Sequence, residues 1–329
     1  MISIGYKIDH QMKERILVIG ALGQLGTELT ESLRERYGRE NVIASDIADW
    51  SAGVKHSPYI RLDVSNRSQL LEIVRGEEIT QIYHLAAVLS AKGESDPQSA
   101  WQLNMDGLLN VLQVSVDCGV KKVFWPSSIA VFGPGCQRHN TPQVVAGTPS
   151  TVYGISKLSG EYWCQYYFEK YGLDVRSIRY PGLISYRAKP GGGTTDYAVD
   201  IFYKAKAGER FQCFLAPYTT LPMMFMEDAV RATLELMDAP ANRITVRSSY
   251  NLAALSFDPA RLVQVIKKVL PSFEVAYAPD FRQQIADSWP ASIDDRFARK
   301  DWGWAPAFSL EEMVEVMLDK VELSEPSIS

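Results

Sequence analysis

The chain alternates short, nearly unbroken apolar runs with longer stretches in which apolar residues recur every three or four positions. The first run, Arg15-Ile-Leu-Val-Ile-Gly20, is apolar and β-branched, as a strand buried on both faces must be. Behind it Leu25, Leu29 and Leu33 lie on one stripe and predict a helix. The alternation continues. Strands are predicted over 41–46, 58–64, 81–87, 121–125 and 174–179, and helices over about 67–75, 98–117 and from Tyr153 to about Tyr171. Repeated β-α units at this spacing predict an α/β fold: a doubly wound parallel sheet of the Rossmann type, covered by helices on both faces. Ligands bind such sheets at the carboxyl ends of the strands.

The second half has a different texture. Pro190-Gly-Gly-Gly193-Thr194-Thr195 reads as a flexible or tightly turned segment. Two readings of it stand, a plain surface loop and an anion-binding nest of backbone N–H groups. Further on the pattern is mixed, with helices predicted over 258–270 and 310–321, the last opened by a capping box of Ser309 and Glu312. No internal repeat is visible.

Composition narrows the function classes. The chain has 329 residues, 46% hydrophobic and 22% charged, as in soluble globular proteins. That length suits one large domain or two unequal ones. A formal net charge of −5 without a basic run argues against nucleic acid as a partner. No apolar run reaches the ~18 residues of a membrane span, and residues 1–12 lack the apolar stretch of a secretory signal. Cys118, Cys136, Cys164 and Cys213 are widely spaced and point to a reducing compartment, so a cytoplasmic location is expected. His10, His56, His84 and His139 are equally scattered, and no metal-ligand spacing occurs, so no metal site is expected.

Candidate chemistry begins at the first strand. It runs into Gly20-Ala-Leu-Gly23-Gln-Leu-Gly26 and then into a helix, the arrangement that presents backbone N–H groups and a helix N-terminus to a pyrophosphate. The spacing is G-x-x-G-x-x-G. The next strand ends on Asp46, twenty residues after Gly26, where an acid takes the ribose hydroxyls of an adenosine. The alternative is a strand-end turn residue. Ile47, Ala48 and Asp49 follow without Arg or Lys to receive a 2′-phosphate, which points to NAD rather than NADP. Farther along, Tyr153 and Lys157 stand one helical turn apart on one face. An ammonium fixed near a phenol favours the phenolate, and a phenol so lowered serves as a general base for an alcohol.

With these pieces in place the chain resembles an extended short-chain dehydrogenase/reductase. The matching residues are Gly20-x-x-Gly23-x-x-Gly26, Asp46, Asp63-Val64, His84-Leu-Ala-Ala87, Asn104, Pro126-Ser-Ser128, Tyr153-x-x-x-Lys157 and Arg179-Tyr-Pro-Gly182. A narrower likeness, to the short-chain type of L-threonine 3-dehydrogenase, rests on 127–134, 179–185, 190–198, Ser288-Trp-Pro-Ala-Ser-Ile-Asp294 and Asp301-Trp-Gly-Trp304.

That resemblance implies an NAD-binding Rossmann domain over 13–182, with about 220–250 returning to it. It also implies a smaller substrate-binding domain over most of 183–323, with extensions at 1–12 and 324–329. The implied reaction oxidises the β-hydroxyl of L-threonine to 2-amino-3-oxobutyrate. Tyr153 is the implied base, Ser128 the hydroxyl that orients the substrate oxygen, with Ser127 its near neighbour, and Lys157 the group that lowers the Tyr153 pKa. The implied cofactor-binding residues are Gly20, Gly23, Gln24, Leu25, Gly26, Asp46, Asp63, Val64, Leu85, Ala86, Ala87, Asn104, Tyr153, Lys157 and Leu183. For Asn104, support of Lys157 through a water stands beside a helix N-cap role.

A zwitterionic substrate needs donors for its carboxylate and acceptors for its ammonium. Ser90, Thr194 and Thr195 are the candidates, and Trp289 either closes the pocket or belongs to the core. Two other functions share the motifs: a nucleotide-sugar epimerase or dehydratase, for which Arg243 and Arg247 are available, and a non-catalytic NAD sensor or scaffold. A homodimer is expected through the helices beginning near Asn104 and Thr151. Tyr162, Trp163, Tyr166, Tyr167 and Tyr171 cover more than one face of the second, unless they pack beneath the chain's own second half.

Overall fold

The computed structural model describes residues 14–49, 58–187 and 191–323; the expected extensions at 1–12 and 324–329, and Pro190, lie outside them. In chain order the first half comprises β1 (Ile16–Ile19), α1 (Gln24–Tyr37), β2 (Val42–Asp46), β3 (Tyr59–Arg61), α2 (Arg67–Gly76), β4 (Gln81–His84), α3 (Ser90–Gly93), α4 (Pro97–Cys118), β5 (Lys122–Ser128), α5 (Val152–Tyr171) and β6 (Asp174–Tyr180). There follow β7 (Gly182–Ile184), α6 (Tyr197–Lys206), β8 (Phe211–Cys213), β9 (Leu221–Phe225), α7 (Met226–Asp238), β10 (Tyr250–Asn251), β11 (Leu255–Phe257), α8 (Pro259–Val269), β12 (Val275–Tyr277), α9 (Arg282–Asp287), α10 (Arg296–Trp302) and α11 (Leu310–Lys320).

Seven strands form one parallel sheet in the order β10-β6-β5-β4-β1-β2-β3. Every residue of β1 and β4 is buried, because helices cover both faces and leave no strand position to water. The strand order reverses between β1 and β4, and a crevice opens at such a switch point. The remaining strands make a mixed three-stranded sheet, β11-β9-β7, and a parallel pair, β12-β8.

Helix boundaries follow local chemistry. Asp96, Thr151, Asp258 and Ser309 each accept a backbone N–H at the start of α4, α5, α8 and α11, and the Ser309–Glu312 capping box is complete. Leu25, Leu29 and Leu33 are buried as their stripe requires. The strand predicted over 58–64 shortens to three residues, and the one predicted over 81–87 ends at His84, where the chain bends into the crevice. The strand predicted over 121–125 instead runs on to Ser128, pairing Ser127 with Arg179 and Ser128 with Tyr180.

Candidate active site

The glycines at the end of β1 are required by packing. Gly20 has φ +85, and a β-carbon there would lie 2.6 Å from Ala86 N. One at Gly26 would lie 2.1 Å from Gly20 O, so α1 can approach β1 only through glycine. Gly23 flanks α1 with no side-chain cap, leaving the first-turn N–H groups of the helix for another acceptor. This cradle lines a cavity of about 440 Å³ at the switch point, within the usual range for a small-molecule site.

Gly20, Gly23, Gln24, Leu25, Gly26, Leu85, Ala87, Ser90, Ser128, Tyr153, Lys157, Leu183, Thr194, Thr195 and Trp289 all lie on that cavity's wall. Asp46, Asp63, Val64, Ala86 and Asn104 do not. Ala86 meets Gly20 through its backbone. Val64 is buried against α4, where a β-carbon at Gly107 would lie 2.9 Å from it. Asp63 turns its carboxylate onto the Ser65 N–H and hydroxyl at 2.9 and 2.7 Å.

Asn104 is not a helix cap. Its helix starts at Pro97, and Asn104 sits buried in the second turn. Its Oδ1 accepts from Val88 N–H at 2.8 Å, and its Nδ2 donates to Val88 O at 3.1 Å and Ser156 Oγ at 3.2 Å. The side chain thus holds the strand-end loop on α5.

Asp46 has the turn role and a place beside the cradle together. Its carboxylate accepts from Ala48 N–H at 3.3 Å and from Leu22 N–H at 3.1 Å, and Leu22 lines the cavity. The expectation that no cation stands nearby is corrected. Parallel pairing sets Arg61 of β3 opposite Asp46, where it donates to Ile47 O at 3.0 Å and pairs with Asp49 at 3.5 Å. With Asp46 intact, kcat/KM is expected to favour NAD over NADP strongly. Asp46→Ala is expected to narrow that ratio by about tenfold, the worth of ~1.4 kcal/mol of repulsion, because Arg61 is already present. A ratio unmoved by the substitution in parallel kinetics would remove Asp46 from cofactor discrimination.

The Tyr153–Lys157 pair differs from its sequence reading. The Tyr153 phenol hydrogen-bonds Ser128, yet burial outweighs that bond and pushes its pKa up to about 12. Lys157 Nζ donates to Pro126 O at 2.6 Å and lies 4.4 Å from the Trp125 ring and 5.5 Å from the Tyr153 ring. Burial pushes Lys157 down to about 7. Ser127 is separated from its neighbour: its hydroxyl donates to Glu161 at 2.5 Å, whereas that of Ser128 faces Tyr153.

Beneath them lies a buried ion pair. Arg179 Nε and Nη2 donate to the two oxygens of Glu161 at 2.8 and 2.7 Å, and Nη1 reaches Gln143 O and Asn251 Oδ1 at 2.9 and 3.0 Å. This side-chain network ties together β5, α5, β6, β10 and the segment before α5.

Ser90 and Thr194, 104 positions apart, bring their hydroxyls to 3.2 Å on the cavity wall. Thr195 packs where a β-carbon at Gly182 would intrude, and Trp289 both lines the cavity and belongs to the core. The glycine run is no open anion nest: Gly192 and Gly193 donate their N–H groups to Asp196 at 2.8 and 2.6 Å. Asp196 and Lys92, both on the wall, were given no role from sequence: Asp196 lies in the matching segment 190–198 but beside the more conspicuous threonines, and Lys92 sits in no motif. Arg243 and Arg247 are away from the wall, and Arg247 is paired with Asp174 at 2.7 Å.

Among the described residues no cluster of His, Cys, Asp or Glu is arranged to hold a metal ion, and no helix is long and apolar enough to cross a membrane. The glycine cradle with its uncapped helix and the Tyr153–Lys157 pair fit NAD, the former at its pyrophosphate and the latter at its reacting end.

Residues 16–253 match the NAD dependent epimerase/dehydratase family. An uncharacterized epimerase/dehydratase of Staphylococcus saprophyticus is 46% identical over 94% of this chain and 97% of its own length. The GalE-like L-threonine dehydrogenase of Cupriavidus necator in its holo form is 52% identical over 94% of this chain and all of its own, with a TM-score of 0.92. A monomeric L-threonine 3-dehydrogenase from a metagenome is 48% identical over 93% of this chain and 98% of its own, with a TM-score of 0.90.

Proposed function

This chain belongs to the NAD dependent epimerase/dehydratase family, and we propose that within it the enzyme oxidises the β-hydroxyl of L-threonine to 2-amino-3-oxobutyrate. One observation carries the substrate: the Ser90–Thr194 hydroxyl pair shares a cavity with the Tyr153–Ser128 pair. Two hydroxyls suit a small carboxylate better than a sugar diphosphate, and Arg243 and Arg247 are not in the cavity to bind one. The relatives described as L-threonine dehydrogenases support the same reading.

Each residue then has a task. Ser128 donates to the substrate β-oxygen and orients it, and Tyr153 Oη takes the hydroxyl proton. NAD supplies the hydride acceptor and, in its oxidised form, a positive charge beside the phenol. Lys157, anchored on the Pro126 carbonyl, holds a second cation one turn from the base. Ser90 and Thr194 donate to the carboxylate, Leu183 packs on the nicotinamide end, and Trp289 closes the wall. A non-catalytic sensor would have no use for an intact Tyr153–Lys157 pair.

The test is NADH absorbance with L-threonine against a panel of UDP- and dTDP-sugars. Reduction of NAD by L-threonine alone is expected; turnover of a nucleotide sugar without it sinks the reading.

The reading extends to a cytoplasmic enzyme that pairs through α4 and α5. Tyr162 is 63% exposed, and Trp163, Tyr166 and Tyr171 are exposed beside it, stacked edge to face rather than tucked under the second half. Trp101 of α4 is exposed too. Rings so displayed suit a two-fold partner. Light scattering at micromolar concentration is expected to give twice the 36.8 kDa chain mass. A fully active monomer rules the pairing out as a requirement; the metagenomic relative is described as monomeric.

A further inference from the structure

The cavity holding Tyr153 and Ser128 has a single carboxylate on its wall among the described residues, Asp196. Its place is built rather than incidental. Oδ2 accepts both the Gly192 and the Gly193 N–H groups, at 2.8 and 2.6 Å. The carboxylate precedes α6 but makes no capping bond to it. Oδ1 takes neither of the glycine N–H groups, and a β-carbon at Gly193 would lie only 2.8 Å from it, so glycine there keeps that oxygen open. Thr194 and Thr195, on the same wall, directly precede it in the chain.

We propose that Asp196 Oδ1 receives the ammonium of the substrate, making the site select β-hydroxy amino acids over β-hydroxy acids. The assignment rests on the L-threonine reading above and names the acceptor that reading lacks. It divides the zwitterion between two groups of residues, the hydroxyls of Ser90 and Thr194 for the carboxylate and Asp196 for the ammonium. A carboxylate fixed by two backbone N–H groups needs no rearrangement to receive a cation. Burial pushes its pKa up to about 6, opposed by the two glycine N–H groups. Of the charged groups around it, Asp200 on its own helix raises it and Arg282 of α9 lowers it, while Lys92 of α3 shares the wall beside Gly192. Asp196 is therefore ionised above about pH 6, and the KM for an ammonium-bearing substrate should rise as pH falls through that value.

Asp196→Asn tests the assignment, because the amide oxygen still accepts both glycine N–H groups while the charge is lost. The comparison substrate is 3-hydroxybutyrate, which keeps the hydroxyl and carboxylate of threonine and lacks the ammonium. In the variant the KM for L-threonine should rise ~10–100-fold, the worth of one charge-assisted hydrogen bond. The preference for L-threonine over 3-hydroxybutyrate should fall by the same factor, with NAD affinity by fluorescence titration unchanged. Gly193→Ala, which crowds Oδ1 and keeps the charge, is a second arm and should raise the same KM. Wild-type protein that makes no NADH from L-threonine overturns the functional reading and this assignment with it. Wild-type protein active on L-threonine, with KM and preference unmoved in both variants, overturns the assignment alone and leaves Asp196 as a loop anchor.

Discussion

Tyr153→Phe lowers kcat by ~10²–10⁴-fold while leaving the fold and NAD affinity intact. That range is what general-base catalysis typically contributes, and the substitution deletes only the ionisable oxygen. The ring stays half-buried on the cavity wall against the core, so packing is conserved, and the one bond lost is that to Ser128. The pH profile adds a second readout. In the protein alone burial pushes the phenol pKa up to about 12, and the positive charge of bound NAD pulls it back toward neutrality. Activity should climb with pH through the alkaline range in the wild type, and the variant should lose that climb. Steady-state kinetics measures both effects. A variant keeping more than a tenth of the wild-type kcat with the same profile removes Tyr153 from the base role.

Arg179→Met destabilises the protein by ~3–5 kcal/mol in chemical denaturation, the cost of leaving a buried charge unpaired. Glu161 would lose both guanidinium bonds and keep only the Ser127 hydroxyl in a site with no access to water. The Gln143 carbonyl and the Asn251 side chain would each lose a donor as well. Arg179→Met combined with Glu161→Leu should recover much of the loss, because a buried pair replaced by apolar groups is often near neutral. A single variant within ~1 kcal/mol of wild type, smaller than the cost of an unpaired buried charge, would show that water reaches Glu161 after all. The pair also bears on catalysis. Glu161 lies one turn beyond Lys157, and Ser127 adjoins Ser128, so its loss should loosen both groups.

Local signals were legible where one backbone requirement decides the residue. Gly20 and Gly26 leave no room for a β-carbon, and the glycines of the cradle could be read directly from their spacing. Asn104 was not legible in the same way. Of its two readings from sequence, the cap is excluded by its place inside α4, and its direct bonds to the Val88 backbone and Ser156 were not foreseen. Arg61 is instructive too: it lies fifteen positions from Asp46, and only parallel pairing of β2 and β3 makes them neighbours. The effect of Lys157 on Tyr153 was expected from spacing, yet burial sets the sign of the phenol's shift, and burial is not a property of spacing.

The sequence by itself determined the alternation of buried strands and striped helices, the doubly wound sheet, the glycine cradle and the one-turn spacing of Tyr153 and Lys157. The elements, the cradle and the spacing depend on residues within a few positions of one another, where steric limits and periodicity act locally, and the sheet follows from their repeated alternation. Only the tertiary structure decided that Ser90 meets Thr194 and that Ser127 turns onto Glu161, leaving the hydroxyl of Ser128, the one the resemblance implied, on the phenol. It alone put Asp196 into the cavity with one oxygen tied to a glycine turn. Those outcomes depend on how separate segments pack around a shared crevice, and close packing settles which side chain has room and a partner.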